Sequence, residues 1–342
     1  GYDSVGTACS RLWLDGRHEV AWSGDAYIGD EIGKPVAWDV DGAILTTHQA
    51  HGVPPELARL DPATGEWHRL TGFNDTLAEG MVFPDIRTLR WIAPDGLDIH
   101  GLLLTPRGAE GPLPMIVGVH GGPTWAWSFY FSDSEPNAVL LADAGYAVLL
   151  PNPRGSVGRG HGFARGVMLN SGTADLDDIM AGVDLCIGEG VADPDRLGIS
   201  GLSYGGYMAA WAITRTDRFG ASVALSTIGD YVTFHLLSEV ARYDEMILGG
   251  RWNDPAGPYI ERSPIFHMAG VRTPTLVIQG QADRCTPVGQ GEELYAALEA
   301  AGAEAELVLY PREGHVLVER SHVIDALRRT QDWFDRHLHP GG

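Results

Sequence analysis

The sequence predicts an α/β protein of the α/β-hydrolase fold, a mostly parallel doubly wound sheet, preceded by a partial β-propeller segment. Three observations carry this. From about Thr88 onward, short apolar runs alternate with stretches of helical length, the pattern of a parallel sheet covered on both faces. One of these runs passes through Gly201-Leu202-Ser203-Tyr204-Gly205 straight into a helical stretch. The first 80 or so residues instead hold only short strand-like runs parted by turns.

In that first part, Leu12–Leu14, Glu19–Trp22, Pro35–Asp39, Ala43–Thr47 and Glu56–Leu60 read as strands. Asp15-Gly16, Asp41-Gly42 and the turn from Asp61 to Gly65 separate them. Strand, turn, strand and then a Trp-bearing strand is how propeller blades read. A propeller needs about four to eight blades, and this stretch is too short to supply them. We therefore divide the chain into residues 1–82, the last blades, and residues 83–342, the hydrolase domain.

In the second part, Ile99–Leu104, Pro114–Val119, Ala147–Leu150, Leu197–Gly201, Val223–Leu225, Pro274–Gln279 and Ala305–Leu309 read as buried strands. Helices are expected over Asp175–Ile187, Tyr204–Thr214, Gly289–Ala300 and Val323–His337. The first would have Thr173 as N-cap and Asp175, Asp177 and Asp178 in its first turns, where acidic groups suit a helix N-terminus. Arg154, Arg159 and Arg165 read as internal ion-pair partners.

The formal net charge of −21 disfavours nucleic acid as a partner. No apolar run approaches the length of about 18 residues that spans a membrane. Cys9, Cys186 and Cys285 lie far apart and form no zinc-ligand spacing. So sparse a set fits a reducing, cytoplasmic setting. The Gly158–Gly162 run lacks the strand-to-helix setting of a dinucleotide loop, so neither a cofactor nor a metal is expected.

The chemistry concentrates at Ser203. A G-x-S-x-G elbow between a strand and a helix is sharply bent, and Gly201, Gly205 and Gly206 leave room for the bend. The turn lifts the hydroxyl above the sheet and aims a helix N-terminus at a developing oxyanion. A serine needs a base, and His315 follows the last strand, where the order Ser, Asp, His would place it. His322 and His120 compete with it. The base needs an acid partner, and Asp283 follows the strand Thr275–Gln279, with Asp230 as the alternative. His120-Gly121-Gly122-Pro123 follows another strand, and the N–H of Gly122 with that of Tyr204 would form an oxyanion hole. Because His315 must be neutral to accept a proton, kcat/KM is expected to fall below about pH 6–7.

These segments resemble the prolyl oligopeptidase family of serine peptidases, most of all its acylaminoacyl-peptidase and aminopeptidase branch. The resemblance runs from about Thr88 to His337. It rests on His120–Pro123, Asn152-Pro153-Arg154-Gly155-Ser156, Gly201–Met208, the turn from Asp283 to Pro287, and Glu313-Gly314-His315. It implies a peptidase acting on short peptides through an acyl-enzyme, with a small-molecule esterase or amidase as the alternative. A catalytically dead binding protein fits poorly, since Ser203, Asp283 and His315 are all present. The resemblance further implies that the segment after Asp230 shapes the first specificity pocket, making Tyr231, Phe234 and Trp252 candidates to bind substrate. Relatives often carry Arg or Asn where this chain has Cys285, which makes Cys285 a candidate too. Members of the family carry a whole propeller, and part of one would leave sheet edges exposed. We therefore expect the chain to be the C-terminal piece of a longer polypeptide, with an N-terminal propeller fragment bound as a second chain.

Overall fold

The structure is a computed structural model and describes residues 2–29, 37–38, 41–61, 63–131, 138–240 and 242–339. Eight strands build the main sheet: Asp85–Ile92 (β1), Asp98–Thr105 (β2), Leu113–Val119 (β3), Ala147–Asn152 (β4), Ala192–Leu202 (β5), Phe219–Leu225 (β6), Thr275–Gly280 (β7) and Ala305–Tyr310 (β8). Their order across the sheet is β8-β7-β6-β5-β3-β4-β2-β1. Strands β3 to β8 pair in parallel, while β2 runs antiparallel to both β4 and β1. This is the expected α/β-hydrolase sheet.

Helices cover both faces, so the central strands are mostly buried and apolar rather than alternating. Every residue of β4 and β7 is buried. One core lies against Ala174–Gly188, Tyr204–Arg215 and Gly289–Ala301 and includes Ile179, Trp211 and Leu298. The other lies under Ala138–Asp143 and Arg320–Leu338 and includes Leu141, Trp333 and Phe334. The chain leaves β3 toward β4 on one side and returns to β5 on the other. That reversal opens a crevice at the carboxyl ends of β3 and β5, where α/β sheets bind ligands.

Ahead of this sheet lie two small antiparallel ones. The first joins Tyr2–Asp3, Gly6–Leu12 and His18–Gly24. The second joins Tyr27–Ile28, Ile44–Ala50, Val53–Leu60 and Trp67–Arg69, with Ala37–Trp38 on Ile44–Ala50. Both are consistent with propeller blades, and Cys9, Ile44 and Leu60 form a small core of their own with Trp22 and Trp67. Their contact with the main unit is specific. The Phe131 N–H donates to Gln49 Oε1 at 3.1 Å, and the Tyr27 and Tyr130 rings lie 4.5 Å apart.

Several expectations need correction. Leu12–Leu14 is not a strand: Leu12 ends one, and Trp13 and Leu14 enter the turn that follows. Of the strand expected over Pro35–Asp39, Ala37–Trp38 is one, and the rest lies outside the described residues, as does Pro62 of the expected turn. Strand β1 escaped the pattern because most of it is exposed and it carries Arg87 and Arg90. Thr173 stands at the N-cap position, but its hydroxyl donates to the Asn170 carbonyl and does not cap the helix. The three arginines divide. Arg154 pairs with buried Asp178 at 2.7 Å and Arg159 with Asp98 at 3.3 Å. Arg165 is exposed and joins no ion pair among the described residues.

Candidate active site

Strand β5 delivers Ser203 as the residue between strand and helix, with φ 61° and ψ −118°. A non-glycine residue there is strained and persists only where its surroundings fix it. Its N–H donates to the Leu225 carbonyl at 3.0 Å, and its carbonyl accepts from Tyr207 N–H at 2.9 Å. The helix packs so closely that a Cβ on Gly205 would lie 2.1 Å from the Val119 carbonyl oxygen. Only glycine fits at that point.

The Tyr204 side chain runs beneath the elbow into the core. Its hydroxyl donates to the Asp175 carboxylate and lies 2.9 Å from Ser171 Oγ. Burial raises the Asp175 carboxyl to about 6. Burial, together with the neighbouring Asp175 charge, also drives the Tyr204 phenol well above its ordinary range. Two of the three acidic residues at this helix start also have tertiary partners. Asp175 tethers Tyr204, and Asp178 holds Arg154.

Asp283 and His315 come together at the ends of β7 and β8. Asp283 is buried, and its Oδ2 is 3.0 Å from His315 Nδ1. Oδ1 accepts from the N–H groups of Cys285 at 2.8 Å and Thr286 at 2.9 Å. Oδ2 also receives Gln279 Nε2 at 3.1 Å and the Thr286 hydroxyl at 2.8 Å. Burial works against a charge on His315, but the Asp283 carboxylate and the Cys285 sulfur outweigh it and raise the imidazole above 6.5.

The other candidates have different partners. Asp230 caps Tyr231–Leu237, accepting from Val232 N–H at 2.8 Å, and does not meet His315. His120 is buried, which lowers its pKa to about 4; its ring lies between the Gly121 carbonyl at 2.7 Å and Ser156 Oγ at 2.8 Å. His322 donates from Nδ1 to Glu313 Oε1 at 2.8 Å. Glu313, Glu319 and His322 form the one group among the described residues whose ligand atoms lie close enough to share a cation. Glu313 already accepts from the N–H groups of Val318 and Glu319, and Arg312 grips Glu319 with two hydrogen bonds of 2.7 Å.

A cavity of about 160 Å³ opens beside Ser203. Gly122, Tyr204, Ile228, Phe234, Val240, Tyr243, Cys285 and Thr286 complete its lining. Thr286 touches both Asp283 and His315, so it links the Asp–His pair to the wall of the Ser203 cavity. Of the residues proposed to bind substrate, Phe234 and Cys285 line the cavity. Tyr231 and Trp252 are not part of that lining. Tyr231 is fully buried against Tyr207, and Trp252 stacks on His235. Ile228, Val240 and Tyr243 were missed, since nothing local in the sequence marks them.

The sequence profile of the prolyl oligopeptidase family matches residues 130–341. The chain belongs to that family. The match spans Ser203, Asp283 and His315. The chain is 34% identical over 294 residues to the uncharacterized peptidase YuxL of Bacillus subtilis, covering 83% of this chain and 44% of that protein. It is 29% identical over 256 residues to the mouse acylamino-acid-releasing enzyme, covering 71% of this chain and 34% of the enzyme. Among solved structures, Pyrococcus horikoshii acylaminoacyl peptidase superposes with a TM-score of 0.84 at 28% identity, covering 95% of this chain and 52% of that one. An acylaminoacyl peptidase in complex with Z-Gly-Gly-Phe-chloromethyl ketone gives 0.85 at 29% identity, covering 98% and 53%. The chain thus spans less than half the length of these sequence relatives and about half that of the solved structures. Among the described residues, no helix is long and apolar enough to cross a membrane.

Proposed function

We propose that this chain carries the catalytic site of a serine peptidase that releases N-terminal or acylated residues from short peptides. The observation that carries the reading is the strained Ser203 elbow beside a cavity whose wall touches a half-buried His315 paired with buried Asp283. In this reading Ser203 Oγ attacks the scissile carbonyl and His315 takes its proton. Asp283 holds the imidazole with Nδ1–H toward itself and stabilises the imidazolium. The N–H groups of Gly122 and Tyr204 receive the oxyanion. His315 then returns the proton to the leaving amine, and water repeats the sequence on the acyl-enzyme. Ile228, Phe234, Val240 and Tyr243 form an apolar wall that suits an uncharged, apolar acyl side chain.

Labelling with an organophosphonate tests the nucleophile. We expect modification at Ser203 with loss of turnover, and a drop in kcat of about 10⁴-fold or more in Ser203→Ala. Undiminished hydrolysis by a clean Ser203→Ala protein would end the reading. Comparing aminoacyl, N-acetylaminoacyl and dipeptidyl amides with simple esters separates the peptidase from an esterase or amidase.

The same reading assigns residues 1–82 to propeller blades and residues 83–342 to the catalytic domain, and it includes an N-terminal propeller fragment as a second chain. Its support is the pair of small open sheets, the exposed Leu12, Leu14, Val20 and Phe73, and relatives of about twice the length. Native mass spectrometry should find two polypeptides that separate only in denaturant. A lone monomer with full peptidase activity would refute it.

A further inference from the structure

Of the two proposed oxyanion donors, the Gly122 N–H is the harder to hold in place. Tyr204 belongs to a helix of 12 residues, whereas Gly122 lies in a loop at φ +109° with no side chain to pack. The peptide before it is secured by the His120 ring on the Gly121 carbonyl. The peptide after it joins Gly122 to Pro123, which has no N–H. The Gly122 carbonyl is therefore the only polar handle on that unit. Tyr243 takes this handle: its hydroxyl donates to the Gly122 carbonyl oxygen.

Tyr243 is well placed to act on both sides. It opens the helix Tyr243–Leu248 right after Arg242, which stands at φ 81°. The next residue, Asp244, is fully buried and lies 2.7 Å from His235 Nδ1, and Trp252 stacks on that imidazole at 5.9 Å. The helix start is thus fixed to Tyr231–Leu237, which supplies Phe234 to the cavity. Tyr243 itself lines that cavity beside Phe234 and Val240.

We propose that Tyr243 is a positioning residue of the oxyanion loop, and that it couples filling of the apolar cavity to placement of the Gly122 N–H. The proposal rests on the catalytic reading above. An acyl side chain packed against the phenol confines the ring, and with it the hydroxyl that fixes Gly122. A good fit then appears in the transition state and not only in substrate binding.

The test compares the wild-type chain with Tyr243→Phe on two amides that share a leaving group and carry Phe or Gly as the acyl residue. It adds a peptide aldehyde, whose adduct with serine places an oxyanion in the hole. Deleting one oxyanion donor costs roughly 10²–10³-fold in kcat, so loosening one should cost about tenfold. We expect that loss on the Phe substrate with KM within about twofold, a smaller loss on the Gly substrate, and aldehyde binding about tenfold weaker. Organophosphonate labelling of Ser203 should stay stoichiometric. Unchanged kcat and aldehyde affinity, or a loss confined to KM, would make Tyr243 a mere cavity wall and overturn the proposal. Should the Phe variant not fold, Tyr243→Met refills the wall without the hydroxyl and carries the same test. If an organophosphonate fails to label the wild-type chain, the serine reading falls first and takes this proposal with it.

Discussion

Exchanging Asp283 for Asn separates the two candidate acids, and the hydrogen bonds fix what the Asn must do. Oδ1 of Asp283 accepts two backbone N–H groups, from Cys285 and Thr286. An Asn keeps those only by putting its oxygen there, which leaves its NH₂ in the place of Oδ2. That NH₂ then faces Gln279 Nε2, itself a donor, and His315 Nδ1. His315 can meet it only as an acceptor, so its proton moves to Nε2, the nitrogen that should take the serine proton. A base with the wrong tautomer should cost about 10⁴-fold in kcat. Asp230 offers a control within the same fold. Its Oδ1 accepts from Val232 N–H at 2.8 Å and from the Ser263 hydroxyl at 3.2 Å, and an Asn oxygen can keep both. Asp230→Asn should therefore leave kcat within about twofold and stability within a few tenths of a kcal/mol, since Asn caps helices about as well as Asp. Steady-state kinetics on one chromogenic amide, with thermal unfolding of each variant, reads both. Should Asp230→Asn abolish turnover while Asp283→Asn does not, the acid role moves to Asp230 and the tautomer argument fails.

Because His315 is raised above 6.5, the acid limb of kcat/KM should lie on the alkaline side of pH 6.5. Cys285→Ala should move the limb back toward 6.5, and a pH–rate profile that ignores the substitution would rule out the sulfur as a cause. The same shift sets a stability sign: the His315–Asp283 pair stabilises the fold fully below about pH 6.5 and loses that contribution as pH rises through the raised value, which denaturation midpoints across pH will show. Gly205→Ala forces a methyl against the backbone carbonyls of Val119 and His120, and should cost about 1–3 kcal/mol by urea unfolding. Arg154→Met strands the buried Asp178 carboxylate and should cost about 3–5 kcal/mol, with Asp178→Asn in the same chain recovering part of it.

What the sequence revealed follows what is local. Strands β3, β4, β6 and β7 are almost wholly buried, so each appears as an apolar run, whereas in β5 only the buried half, Leu197–Gly201, stands out and the polar start, Ala192–Arg196, does not. At the N-terminal end this rule misleads. Leu12 and Leu14 look like strand residues but are exposed, Leu12 closing a strand and Leu14 lying in the turn. Most of that strand, Gly6–Leu12, is small and polar and is set by pairing with His18–Gly24. Strand β1 was hidden for a related reason, since an edge strand keeps charged residues on its open side. At the site, Ser203, Asp283 and His315 were legible because each follows a strand in a fixed order. Tyr243, Val240 and Ile228 carry no such mark, and only tertiary packing brings them to Ser203.

The acidic run at the start of Ala174–Gly188 shows why a helix-end reading can be reasonable and still be incomplete. A carboxylate at a helix N-terminus needs no partner beyond N–H groups, and Asp175 does accept them from Thr173 at 2.9 Å and Leu176 at 3.0 Å. Yet Asp175 is completely buried, and burying a charge is costly unless its oxygens are filled. The remaining oxygen takes the Tyr204 hydroxyl, 29 residues along the chain. That bond fixes the side chain of the residue whose backbone must bend after Ser203. Strain at Ser203 can survive only if the residues around it leave no relaxed alternative. Gly205 closes one escape by packing on Val119, and Tyr204 closes another by its anchorage to Asp175. The buried carboxylate therefore serves both the helix it begins, through one oxygen, and the tyrosine that follows the strained serine, through the other.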